Sequence, residues 1–87
     1  MTTYDYNDRM AALCARAERV MNTLGNPVLS DVYAHAGAGF ASKAATLPVE
    51  VAKKPVSNEL KIRLSDMEDW VSCQEIRAAY VSKETKS

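Results

Sequence analysis

Cysteine, glycine, proline and histidine are all scarce in this 87-residue chain, with counts of two, three, three and one. Two cysteines cannot build the dense disulfide framework of a small secreted scaffold. Cys14 and Cys73 lie in no CxxC pair and have no histidine nearby, so no zinc site is expected. Each falls inside a helical pattern, which predicts buried free thiols in a reducing cytosol. No stretch approaches the roughly 18 consecutive apolar residues of a membrane span. Residues Met1 to Met10 carry two Asp and two Tyr without an apolar core, unlike a secretory leader. The expectation is a soluble, cytoplasmic protein that does not engage a membrane. Gly37-Ala38-Gly39 lacks the third glycine and the Lys-Ser/Thr pair of a phosphate loop. No internal repeat is visible, and no motif specifies a reaction, cofactor or metal, so the chain is read as non-enzymatic.

Net charge is absent as well, because eleven basic and eleven acidic residues cancel. Bulk attraction to nucleic acid is therefore not implied. The charges are unevenly placed: Lys43 to Arg63 holds five basic and two acidic residues, and Leu64 to Val81 four acidic and one basic. With 47% hydrophobic residues the chain suffices for one core, and residues 1–87 are read as a single domain.

The periodicity is mainly helical. Tyr6, Met10, Leu13, Ala17, Val20, Met21 and Leu24 form one stripe, ended by Gly25 as a left-handed cap. Asn26-Pro27 restarts a helix at once, as an N-cap followed by proline in the first turn. Its apolar positions are Leu29, Val32, Tyr33, Ala36 and Phe40. Gly37 and Gly39 then predict an early stop or a kink, each costing about 1 kcal/mol against alanine, with a resumed short helix over Ala41 to Leu47. The alternative is a bare face that admits another backbone.

The stretch 48–64 supports two readings. Val49 and Val51, then Leu60, Ile62 and Leu64, alternate with charged residues as in a β-hairpin. Leu60, Leu64, Met67, Val71, Gln74, Ala78 and Val81 also recur at spacings of four and three, which suits one long helix after Ser57. The fold class expected is a small bundle of three to four helices with a long C-terminal helix, the alternative being α+β with that hairpin.

Ser65 and Glu68 match a capping box, and the helix beyond carries two apolar faces. Met67, Val71, Ala78 and Val81 lie on one side with Trp70 at its edge; Cys73, Ile76 and Tyr80 lie opposite. So small a domain covers one side of such a helix with its own chain. The second side, with Asp66, Glu68, Asp69 and Trp70, is therefore read as a partner-binding surface, for a foreign protein or a second copy in a homodimer. Small inhibitors, adaptors and accessory proteins of phages and mobile elements share this size and plainness. In the competing explanation, the three carboxylates offset the positive end of the helix dipole. The alternative function is a DNA-binding regulator using Arg9, Arg16 and Arg19 on the first helix with Lys53, Lys54, Lys61 and Arg63. On a strand, Lys61 and Arg63 would share one face. His35, one turn after Asp31, has no neighbouring Ser or Cys with an orienting carboxylate, and is read as a surface histidine.

Overall fold

The computed structural model describes residues 1–85 of the chain. Four helices follow one another: α1 (Thr3–Thr23), α2 (Pro27–Thr46), α3 (Val49–Ala52) and α4 (Asn58–Thr85). This is the mainly helical bundle with a long last helix. The hairpin reading is not observed: 49–52 is a single helical turn, and Leu60 to Leu64 lies in the opening turns of α4.

Local chemistry sets the helix ends. Thr2 and Asp5 close a capping box at the start of α1, with the Asp5 amide donating to the Thr2 hydroxyl at 3.1 Å. At the far end Gly25 adopts φ 76°. The Asn26 amide donates to the Met21 carbonyl at 2.8 Å, and the Gly25 amide to that of Asn22 at 3.1 Å, completing a Schellman turn. The Asn26 side chain then accepts from the Leu29 amide at 3.1 Å, with Pro27 in the first turn of α2. Only Leu24, Gly25 and Asn26 separate the two helices, so α1 and α2 form a tight antiparallel hairpin. Along it the Ser30 hydroxyl donates to the Glu18 carbonyl at 3.0 Å, and Phe40 meets Tyr6 edge-on with centroids 6.3 Å apart.

The expected break at the glycines does not occur; α2 runs unbroken to Thr46. A Cβ placed on Gly37 would stand 3.1 Å from Cys14 Cβ and 3.6 Å from the Ala11 carbonyl oxygen. The close approach of α1 is what the missing side chain permits. Gly39 faces open space, with no atom within 4 Å of such a Cβ.

α3 returns the chain to the start of α1. Thr3 donates to the Lys54 carbonyl through both its amide and its hydroxyl at 2.8 Å. The Val56 amide donates to the Met1 carbonyl at 3.2 Å. From this clasp α4 runs parallel to α1, its Leu64, Val71 and Ala78 meeting Tyr6, Leu13, Ala17, Val20 and Met21 in succession. The core is thus a seam along α1, and Tyr33 and Trp70 join its two halves. Val71 has no exposed surface, and Leu64 retains 3%. Buried Asn7 donates to the Thr3 carbonyl at 2.8 Å. Among the described residues no buried side-chain polar atom lacks a partner. The molecule is elongated, at 53 × 22 × 16 Å.

Candidate functional site

The 28 residues of α4 span about 42 Å at 1.5 Å per residue. Its inner row is the one expected as far as Ala78, with Leu60, Leu64, Met67, Val71, Gln74 and Ala78 all buried or half-buried; Val81, expected to close that row, is exposed instead. A second row repeats the same alternation of four and three on the outside: Ile62, Asp66, Asp69, Cys73, Ile76, Tyr80 and Lys83, all exposed. Ile62, Ile76 and Tyr80 keep 61%, 59% and 66% of their surface in solvent. Ile76, Tyr80 and Lys83 border a shallow depression of about 500 Å³ at the C-terminal end of the row.

The helix start alters the meaning of the acidic cluster. Ser65 and Glu68 do not cap α4, which begins two turns earlier, where the Leu60 amide approaches the Ser57 hydroxyl at 3.4 Å. The acidic residue of the first turn is Glu59. Asp66, Glu68 and Asp69 sit in mid-helix, exposed, where no dipole compensation is required of them. The hydrogen bond that Arg16 of α1 donates to Glu75, then the charges of Glu75 and of Glu68, raise the pKa of that guanidinium.

Of the residues read as partner-binding, Asp66, Asp69, Cys73, Ile76 and Tyr80 share the outer row, whereas Glu68 is exposed about 100° around the helix from it, on the flank of Glu75. Trp70 stands apart. Its ring lies 5.6 Å from that of Tyr33 at 37° and packs against both halves of the core. It lines a small cleft with Leu24 and Leu29 and is half-buried. The cysteines divide: Cys14 is buried, and burial pushes its thiol pKa up. Cys73 is exposed, a correction to the expectation of two buried thiols.

Two of the proposed nucleic-acid residues, Arg16 and Arg63, lie against carboxylates of the same chain. Arg16 is committed to Glu75 of α4 through two hydrogen bonds from its Nε and Nη2, a fork that carboxylates match well. That contact, then the charges of Arg16 and Arg19, holds the Glu75 carboxyl below its ordinary value. Arg63 lies 3.6 Å from Glu59 one turn earlier. Lys61 and Arg63 are two positions apart on a helix, about 200° around it, so they do not share a face as they would on a strand. Arg9, Arg19, Lys53 and Lys54 are exposed.

The Arg16–Glu75 fork escaped the sequence reading, although each residue flanks an apolar stripe with the opposite charge. The Thr2–Asp5 box was equally visible as Thr-x-x-Asp. His35 is exposed, its Nδ1 2.8 Å from the Asp31 carbonyl oxygen and 3.6 Å from the Asp31 carboxylate. The carbonyl, then the carboxylate, raises its pKa. Among the described residues no three His, Cys, Asp or Glu side chains gather to hold a metal ion, and no helix is long and apolar enough to cross a membrane.

Comparison of the chain with protein-family models, with curated proteins and with solved structures found no match. The chemistry of the outer row of α4 is therefore the basis for a functional reading. That row has large apolar groups, one thiol, carboxylates toward one end and an ammonium at the other. It offers contact area and charge for recognition, and no paired nucleophile and base.

Proposed function

We propose that this protein is a small non-enzymatic binding module that recognises another protein through the outer row of α4, as an inhibitor, adaptor or accessory protein does. One observation carries the reading: Ile62, Ile76 and Tyr80 remain in solvent on a helix whose opposite side already fills the core. Scattered exposed apolar residues are ordinary on a protein surface. Here they recur with Cys73 along one line, flanked by Asp66 and Asp69, and aromatic and aliphatic anchors beside charged groups are what protein interfaces use. Asp66 and Asp69 belong to the same row, and their mid-helix position removes the dipole explanation. Trp70 supports the face from behind by bracing α4 against Tyr33.

Affinity capture with the full chain as bait tests this, comparing wild type with Ile76→Asp and Tyr80→Ser. Both changes lie on exposed positions, so circular dichroism and melting temperature should stay close to wild type. Association lost in both variants is the expected result. Equal association by wild type and both variants, with folding intact, overturns it. The nucleic-acid reading is the weaker one because Arg16 is already engaged. It requires salt-dependent retention on heparin that is lost on neutralising Arg19, Lys53 and Lys54.

A further inference from the structure

We infer that the occupant of the outer row of α4 is a second copy of the same helix, running antiparallel. This rests on the reading of that row as a protein-binding face and names its partner. The row repeats every three and four residues, the spacing at which two helices pack along a common seam. In an antiparallel pair whose two-fold axis passes between Gln74 and Glu75, Asp66 meets Lys83 of the second copy. Asp69 then meets Tyr80, and Cys73 meets Ile76. Each contact occurs twice by symmetry. A carboxylate faces an ammonium, a carboxylate faces a phenol hydroxyl that can donate to it, and a thiol faces an aliphatic side chain. All six residues are exposed in the single chain.

The other arrangements satisfy fewer members of the row. A parallel pair sets Asp66 on Asp66, Asp69 on Asp69 and Lys83 on Lys83, placing like charges together at three positions of the seam. An antiparallel pair shifted one heptad toward the N-terminus sets Asp66 against Ile76 and Asp69 against Cys73, leaving both carboxylates on apolar groups. Shifted one heptad toward the C-terminus, the pair sets Ile76 on Tyr80 and Cys73 on Lys83 but engages neither Asp66 nor Asp69 among the described residues. Only the first register pairs every member from Asp66 to Lys83. These 18 residues cover about 26 Å of helix, a narrow contact at the small end of stable interfaces. The association therefore calls for concentrated samples.

Sedimentation equilibrium of the full chain at low salt, from about 5 to about 500 µM, should show a monomer–dimer equilibrium. Lys83→Asp should weaken it by about tenfold, and the exchange Asp66→Lys with Lys83→Asp should restore it. Orientation is read by oxidation in a Cys73→Ser background, with circular dichroism checking each fold. An equimolar mixture of Asp66→Cys and Lys83→Cys chains should cross-link, while each variant alone should not. A monomer throughout the range overturns the inference, as does cross-linking of each variant with itself. If the wild type is monomeric while capture of another protein still depends on Ile76 and Tyr80, self-pairing is refuted and the binding module stands. If both fail, the module falls too.

Discussion

Two glycines two residues apart on α2 give a sharp test of how closely the first two helices pack. Replacing glycine by alanine inside a helix gains about 1 kcal/mol from backbone entropy alone. At Gly39 nothing lies within 4 Å of the added Cβ, so Gly39→Ala should realise that gain. For a domain of this size it corresponds to a rise in melting temperature of about 4–8 °C. At Gly37 the added Cβ stands 3.1 Å from Cys14 Cβ, where carbon atoms prefer about 3.5–4.0 Å. Both atoms are fixed to their backbones, so no rotamer change relieves the contact and the helices must part by several tenths of an ångström. Overpacking of this kind costs about 1–3 kcal/mol, which cancels or exceeds the entropic gain. Gly37→Ala is therefore expected to be neutral to about 2 kcal/mol destabilising, and to melt below Gly39→Ala by several degrees. Thermal and urea denaturation followed by circular dichroism measure both. Adding Cys14→Gly removes the opposing atom, so the double-mutant cycle should show favourable coupling with Gly37→Ala. Equal stabilisation by the two alanines would refute the close approach, and with it the account of why α2 tolerates glycine in mid-helix.

Gly25→Ala places a side chain at φ 76° and should cost about 1–2 kcal/mol, with Gly25→Asn costing less, both read from urea midpoints. Val71→Ala opens the fully buried middle of the seam and should cost about 2 kcal/mol, whereas Ile62→Ala, 61% exposed, should stay within about 0.5 kcal/mol. Glu75→Gln breaks the fork to Arg16. The two side chains are 36% and 39% exposed, so solvent screening limits the loss at neutral pH to about 0.5–1 kcal/mol. Because the folded-state pKa of Glu75 is lowered, its contribution is complete above the unfolded carboxylate value and disappears as pH falls through the folded one. Wild type and Glu75→Gln should converge in stability in acid; a gap that persists below pH ~2 would contradict the assignment.

Much of the helical framework was readable because it depends on local chemistry. Gly25 and Asn26-Pro27 carry their turn in their own backbone preferences, and the row from Leu60 to Ala78 repeats at the helical period. Gly37 was misread for a physical reason. Propensity prices a glycine by its cost to one helix, and the compensating contact with Cys14 belongs to another helix 23 positions away. Val49 and Val51 misled differently, since an alternation this short fits a single helical turn as well as a strand. Ser65 and Glu68 satisfied a capping pattern that the helix overran, because the apolar row continues upstream to Leu60. The outer row was legible at Cys73, Ile76 and Tyr80. Its extension to Ile62 required knowing that α4 begins at Asn58. Trp70 was placed at the edge of the inner stripe, and its stacking on Tyr33 depends on how α2 and α4 converge, which no local pattern encodes.

The parallel course of α1 and α4 sets the order in which a nascent chain can be completed. The bond from Ser30 to Glu18 closes 12 positions, whereas the fork from Arg16 to Glu75 closes 59. The first two helices can therefore zip together while the remainder is still inside the ribosome. Until residues 58 onward emerge, Leu13, Ala17 and Val20 have nothing to cover them on that flank. In that order of synthesis the face of α1 that meets Leu64, Val71 and Ala78 is the last part of the core to gain its cover, and α4 is the element that supplies it.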